Sequence, residues 1–364
     1  MNSLAQSDDF KSIVLNQTPL IDVRAAIEFE KGAFINSVNL PLMDNRERHL
    51  VGIEYKKRGS ESATKLGYKL VSGDIKERRL QAWLEFIKTH PDAMLYCFRG
   101  GQRSKISQEW LRDRGEDIAR LKGGYKAFRT YLLDSIDNSI ESFSPIILGG
   151  RTGSGKTILL KKIDNSIDLE ALANHRGSSF GRKITPQPTQ INFENALSYK
   201  LIQKIDTGVK KLVFEDEGKY VGKIYIPKKF ASYLSKAPLL ILQTPTSKRV
   251  EITFNEYITS AQKSYLGAFK DEYLKIWHDD IHDAMKRIAR RLGMQRYEKA
   301  CSIFDAAYNE QKKSSNTDLY REWVTYLLQE YYDPMYDYQI KSNAKQIVFQ
   351  GDEEEIIEYL QSLT

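Results

Sequence analysis

Two cysteines in 364 residues exclude a disulfide framework and any cysteine-rich metal site. No window reaches the roughly 18 consecutive apolar residues of a membrane-spanning helix. The N-terminus, Met1–Phe10, is polar and acidic and lacks the apolar stretch of a signal peptide. These absences point away from disulfide-stapled secreted proteins and from membrane spans, and predict a cytoplasmic protein with no membrane partner. What is present is 41% hydrophobic and 28% charged, the composition of a globular chain with ample core. The length suggests two domains or a little more. A net charge of +7 and a pI of about 9.0 suit a nucleic-acid or polyphosphate partner, although many basic proteins have neither.

Of the two cysteines, Cys97 opens the stretch Cys97-Phe98-Arg99-Gly100-Gly101-Gln102-Arg103-Ser104, between the apolar run Ala93–Tyr96 and a helical pattern. That order is a strand end, a loop and a helix start. Loop amides and a helix N-terminus supply partial positive charge, and Arg99 and Arg103 supply full charges. Such surroundings favour a thiolate, so Cys97 is the candidate nucleophile, with Arg99 and Arg103 stabilising its charge. A buried strand-end cysteine beside an ordinary glycine turn is the bland alternative. Cys301 sits among helix formers with no charged loop and reads as core.

Upstream, Leu20–Val23 reads as a buried strand, Ala25–Glu30 as helix, Ser37–Pro41 as a second strand and Ile75–Lys88 as a helix with an apolar face. Asp22 and Arg24 close the first strand, where they either hold neighbouring loops or are simply solvated. Asp44–Asp74 is long, basic and glycine-punctuated. Helix Lys105–Arg114 and a short strand into Leu121-Lys122-Gly123-Gly124-Tyr125 follow. Strands alternating with helices predict a parallel α/β sheet over residues 1–133.

A second anchor follows the polar spacer Asp134–Ser144. The apolar strand Pro145–Leu148 runs into Gly150-Arg151-Thr152-Gly153-Ser154-Gly155-Lys156-Thr157, and a helix pattern comes next. This fits the eight-residue P-loop in its strand–loop–helix context. Gly150, Gly153, Ser154 and Gly155 let amides close around phosphate, Lys156 bridges phosphate oxygens and Thr157 is a candidate Mg²⁺ ligand. The same donors would accept a nucleotide or a diphosphate ester.

The strand Lys211–Phe214 ends in Glu215-Asp216-Glu217, whose first two acids are candidates to orient Mg²⁺ or water. A solvated acidic turn is the equal alternative. Strand Leu239–Leu242 leads to Thr244-Pro245 and Arg249, a candidate phosphate or substrate contact at a strand end. Between these strands, Asp168–Gly181 places His175, Arg176 and Ser178 in a glycine-bounded loop, as candidate substrate contacts. The P-loop domain is expected over 145–250. From residue 251 to 364 the pattern is helical with no strand run of note. There Lys286, Arg287, Arg290 and Arg291 form a stripe suited to an RNA backbone or simply to solvent. The residues Ile281, Met285, Ile288 and Leu292 form its apolar counter-face.

Ile21-Asp22-Val23-Arg24, Gly32 to Pro41, the Cys97 loop and Gly123-Gly124-Tyr125 together resemble a rhodanese domain, with Ala33 where that family carries histidine. Fused to a P-loop, and with Glu47-Arg48 to Tyr55-Lys56, Asp168 to Gly181 and Thr244-Pro245, the chain resembles the tRNA 2-selenouridine synthases along nearly its whole length. Phe98 and Ile35 stand where that family has tryptophan and proline. The resemblance implies replacement of sulfur by selenium in wobble-position 2-thiouridine of tRNA. Selenophosphate from a supplying enzyme is the selenium donor, and geranyl diphosphate makes an S-geranyl intermediate. It also implies that Cys97 relays selenium, the P-loop holds the prenyl diphosphate and the basic C-terminal helices hold tRNA. Two rival readings remain at this point. One is a kinase-like P-loop enzyme with a regulatory rhodanese domain, and the other is an RNA-binding sulfur carrier that needs a partner enzyme.

Overall fold

The structure, a computed structural model, describes residues 4–342 and 346–363. Part of the polar N-terminus (1–3) and of the C-terminal region (343–345 and 364) lies outside the described residues. The chain divides into two units, residues 1–141 with 188–208 and residues 142–187 with 209–364.

Unit 1 is a five-stranded parallel sheet: β1 (Gln6–Ser7), β2 (Leu20–Asp22), β3 (Ser37–Asn39), β4 (Met94–Tyr96) and β5 (Ala119–Leu121), in the order β1-β5-β4-β2-β3. Central strands of a parallel sheet are covered on both faces, so β2 is buried at every residue, Asp22 included. Parallel pairing aligns Asp22 with Tyr96 and with Asn39, so the C-terminal ends of three strands share one sheet edge. The glycine-punctuated stretch is helical over Asn45–Leu70, broken where Gly59 takes φ +81°. Its start carries a capping box, with Glu47 N donating to Asp44 Oδ1 at 2.8 Å and Asp44 N to Glu47 Oε2 at 2.8 Å.

Helix Gln190–Asp206 also belongs to unit 1, although it lies in sequence between elements of unit 2. It packs on helix Gly124–Ser139, with Arg129 on Asn195 Oδ1 at 2.7 Å and paired with Glu194, while Asn192 and Asn195 bond the backbone of Ala33.

Unit 2 holds a second parallel sheet: β6 (Ser144–Gly149), β7 (Ser166–Ile167), β8 (Lys211–Glu215), β11 (Leu239–Leu242) and β12 (Ile347–Gly351), in the order β12-β11-β6-β8-β7. A hairpin of β9 (Tyr220–Val221) and β10 (Ile224–Tyr225) stands apart from it. Strand β12 corrects the expectation of helix alone after residue 251. It is a short, half-exposed edge strand, so it has no long apolar run, and pairing with β11 defines it. The rest of the C-terminal region is a helical bundle around Trp277, Met285, Phe304, Tyr320 and Trp323, with Ile281, Ile288 and Leu292 buried as the helical spacing predicts. Among the described residues no helix is long and apolar enough to cross a membrane.

Candidate functional site

In unit 1, Cys97 lies at the C-terminal end of β4, 3% exposed. Its Sγ donates to Ser104 Oγ at 3.1 Å, and Ser104 Oγ donates to Gly101 O at 3.1 Å. Ser104 lies in the first turn of helix Gln102–Arg112, where backbone N–H groups lack partners within the helix. The thiol therefore faces the positive end of an 11-residue helix. Two loop carbonyls are engaged elsewhere, as Tyr125 N donates to Cys97 O at 2.8 Å and Lys126 N to Phe98 O at 2.9 Å, while Gly101 O lies 4.0 Å from Sγ. Arg120, which the sequence did not single out, donates to Gly100 O and to Gln108.

The two loop arginines are placed differently. Arg103 puts both terminal nitrogens on Glu28, at 2.7 and 3.1 Å. Burial pushes Glu28 up, but Arg103 and then Arg48 outweigh it and hold the carboxyl below its ordinary range. Arg99 is exposed and lies over the Phe98 ring at 5.8 Å, and Phe98 stacks on Tyr125. Asp22 and Arg24 are a buried bidentate pair. Arg24 also bonds Gly32 O at 2.8 Å and lies 3.9 Å over Tyr125. This pair holds the neighbouring loops.

Gly124 makes that packing close, since a Cβ there would lie 2.3 Å from Cys97 O and from Gly100 N at φ +60°. Gly124→Ala is expected to destabilise unit 1 by about 2 kcal/mol or more. Urea unfolding followed by circular dichroism checks this, and an unchanged midpoint would mean that the loop relaxes at no cost.

In unit 2 the P-loop joins β6 to helix Lys156–Leu160. Only glycine fits at 153, where φ is +78° and a Cβ would lie 2.3 Å from Thr253 Oγ1. Lys156 Nζ donates to Gly150 O at 2.7 Å and to Arg151 O at 3.4 Å, so the ammonium rests on the loop's own carbonyls. Arg249 is buried behind the loop, with Nε on Thr152 O at 3.0 Å and both terminal nitrogens on Asp333 at 3.0 and 2.6 Å. Arg151 pairs with Asp333 and Asp337. Arg249 thus braces the P-loop and does not line the cavity in front of it.

That cavity has a volume of about 1450 Å³. Gly150, Gly153, Gly155, Lys156 and Thr157 form one wall. Ile158, Ile226 and Ile252 line it with Tyr257, Tyr332 and Tyr336. Two π-helical turns, Asn255–Thr259 and Leu328–Tyr332, carry Tyr257 and Tyr332, and such turns re-aim side chains within a helix. Arg176 and Ser178 also line the cavity; Arg176 pairs with Glu256 at 2.5 Å and Ser178 Oγ lies 2.8 Å from Tyr257 Oη. His175 is buried away from that wall, with burial pushing its imidazole below the ordinary value. Phe180 anchors the same loop edge-on to Trp323, and Arg287 donates to Ser179 O at 3.0 Å. Of the remaining basic stripe, Arg291 lines the cavity and Lys286 pairs with Asp283. Cys301 is half-buried at the edge of the bundle core, and burial pushes its thiol up.

The acids after β8 divide. Glu215 is buried and accepts Glu170 N at 2.6 Å, while Asp216 and Glu217 line the cavity. Glu170, from the loop after β7, lines it too; neither Glu170 nor Glu217 was singled out from sequence. Burial, then neighbouring Glu170, pushes Glu217 up to about 9. Burial also lowers Lys156, against the pull of Glu170 and Glu217. A carboxyl raised in the folded state binds more protons than in the unfolded chain between pH 4.5 and about 9. Glu217 should therefore weaken unit 2 as pH rises through that window. Thermal unfolding against pH should show a shallower fall for Glu217→Gln than for the parent chain; parallel curves would contradict this.

Comparison with known proteins gives two family matches. Residues 143–364 match the tRNA 2-selenouridine synthase AAA domain, and residues 6–131 match the rhodanese-like domain. A tRNA 2-selenouridine synthase of Sulfurovum sp. (strain NBC37-1) is 63% identical over 99% of both chains. Relatives of the same description from Hydrogenovibrio crunogenus and Marinobacter nauticus are 46% and 43% identical, over 98% and 100% of both chains. The chain belongs to the tRNA 2-selenouridine synthase family. Within this family's two-part layout, the rhodanese-like match contains the Cys97 loop. The AAA-domain match contains the P-loop, the acids after β8 and the C-terminal helices with β12. It also spans Gln190–Asp206, the helix that packs with unit 1.

Proposed function

We propose that this chain replaces the sulfur of 2-thiouridine at the tRNA wobble position with selenium, in two steps. In the first, the thiouridine sulfur attacks C1 of geranyl diphosphate; the C–O bond breaks and diphosphate leaves. In the second, selenium from selenophosphate takes the place of the S-geranyl group, which departs as the thiol. Water completes the release of phosphate. The observation that carries this reading is the cavity: a phosphate-binding loop and an aromatic, aliphatic wall in one enclosure suit a ligand with an anionic head and an apolar tail.

In this scheme the P-loop amides and Lys156 bind the diphosphate and take up its charge as it leaves. The donor set suits Mg²⁺ as well, because Glu215 Oε2 is buried without a partner among the described residues and Asp216 lines the cavity. Thr157 and Asp216 would hold the ion, which would neutralise the leaving diphosphate. The Cys97 thiolate attacks phosphorus of selenophosphate and the P–Se bond breaks. Selenide passes to C2 of the S-geranyl base, and water hydrolyses the phosphocysteine to restore the thiol. The helix N-terminus and Arg99 support the anionic sulfur or selenium. Arg103 acts through Glu28 to position the loop. The exposed basic residues of helix Tyr273–Leu292 contact the tRNA backbone, and the enzyme works in the cytoplasm with a selenophosphate-supplying partner.

Calorimetry on the full chain tests the carrying observation. Geranyl diphosphate should bind about tenfold or more tightly than inorganic diphosphate, because its tail buries apolar surface. Equal affinities, with ATP or GTP binding tightly, would favour the kinase-like reading.

A further inference from the structure

Away from both sites, the bundle of unit 2 brings three metal-binding side chains together. His278 and His282 lie one turn apart on helix Tyr273–Leu292, and Asp305 lies on helix Met294–Ser314. Their donor atoms are all within 4.8 Å of one another. Nε2 of His278 is 2.9 Å, and Nε2 of His282 is 2.7 Å, from the same Oδ1 of Asp305. The two rings are 4.5 Å apart, with His278 stacked on Phe304 and tilted against Tyr308 at 4.0 Å. None of the three residues lines the P-loop cavity.

We propose that His278, His282 and Asp305 form a binding site for a divalent first-row transition ion of the Zn²⁺ or Co²⁺ kind, which clips the two helices together. The geometry leaves two ways to satisfy three converging atoms. Either both imidazoles present Nε2–H to one carboxylate oxygen, or both present lone pairs and an ion supplies the positive charge. A tetrahedral ion with bonds of about 2.0–2.1 Å spaces its donors roughly 3.3 Å apart, so each imidazole need move from the Asp305 oxygen by only about half an ångström. Two imidazoles and one carboxylate select ions of this class over Mg²⁺ and Ca²⁺, which favour all-oxygen sites. His278 Nδ1 is 3.4 Å from Asp279 Oδ1, the outer carboxylate that commonly orients a ligating imidazole. The histidine side chains are 19% and 21% exposed and Asp305 is 45% exposed, so a fourth position opens to solvent for water.

The test is Co²⁺ titration of the untagged full chain, with excess Mg²⁺ to occupy the acids beside the P-loop. The proposal predicts one equivalent of Co²⁺ with the intense visible absorption of a low-coordinate site, displaced by Zn²⁺. His282→Gln and Asp305→Asn should each weaken binding about tenfold or more. Their far-ultraviolet circular dichroism, recorded alongside, should match the parent. Glu217→Gln should bind as the parent does. Absence of the visible bands, equal affinity in folded His282→Gln, or loss of binding in Glu217→Gln would each overturn the proposal.

Discussion

Lys156→Ala is expected to lower geranyl transfer to 2-thiouridine tRNA by about 10²–10³-fold in kcat/KM, or more. The ammonium is held by the carbonyls of Gly150 and Arg151, both part of the loop that would receive the diphosphate. Moving it onto phosphate oxygens exchanges neutral acceptors for charged ones and strengthens its hydrogen bonds. The lysine is a positive charge in a cavity that Asp216 also lines, so its loss leaves an incoming diphosphate a less favourable field. Arginine should rescue poorly, because a branched guanidinium must fit where one amine now sits among backbone atoms. Single-turnover assays with limiting geranyl diphosphate check this. A variant with the parent rate would remove the P-loop from the chemistry.

Cys97→Ser should lower selenouridine formation by about 10³-fold or more while leaving geranyl transfer within about twofold of the parent. Serine can keep the hydrogen bond to Ser104 Oγ, so the loop should survive and the loss should be chemical. With both donors present, the variant should accumulate the S-geranyl nucleoside. The kinase-like reading predicts that this substitution leaves the main activity intact. Nucleoside mass spectrometry separates the two outcomes, and selenouridine at the parent rate in Cys97→Ser would rule out the relay.

The parts legible in the sequence are those whose chemistry is local. Cys97 with its glycines, and Gly150 to Thr157, each lie within eight residues, and each sits between an apolar strand run and a helix. Those spacings place both loops at sheet edges before any tertiary contact is known. Arg103 was legible as a charge near Cys97, but its pairing with Glu28 joins residues 75 positions apart. Arg249 was legible as a strand-end cation, yet Asp333, which draws it behind the P-loop, is 84 positions away. The apolar cavity wall is assembled from Ile158, Ile226, Ile252 and tyrosines on two π-helical turns, so no single stretch announces it. Helix Gln190–Asp206 has an ordinary apolar pattern, and tertiary contacts such as those of Asn192, Asn195 and Tyr199 show which sheet it serves. Strand β12 was missed because an edge strand buries little. The capping box at Asp44 and Glu47 was a readable helix start in a stretch dominated by its glycines and charges.

The most direct measurement is nucleoside mass spectrometry of 2-thiouridine tRNA incubated with the purified chain. Geranyl diphosphate and selenophosphate are supplied separately and then together. The account predicts S-geranyl-2-thiouridine with the diphosphate alone, 2-selenouridine with both, and no selenouridine with selenophosphate alone. Selenouridine formed equally well without geranyl diphosphate, or no change in the base under any condition, would contradict it.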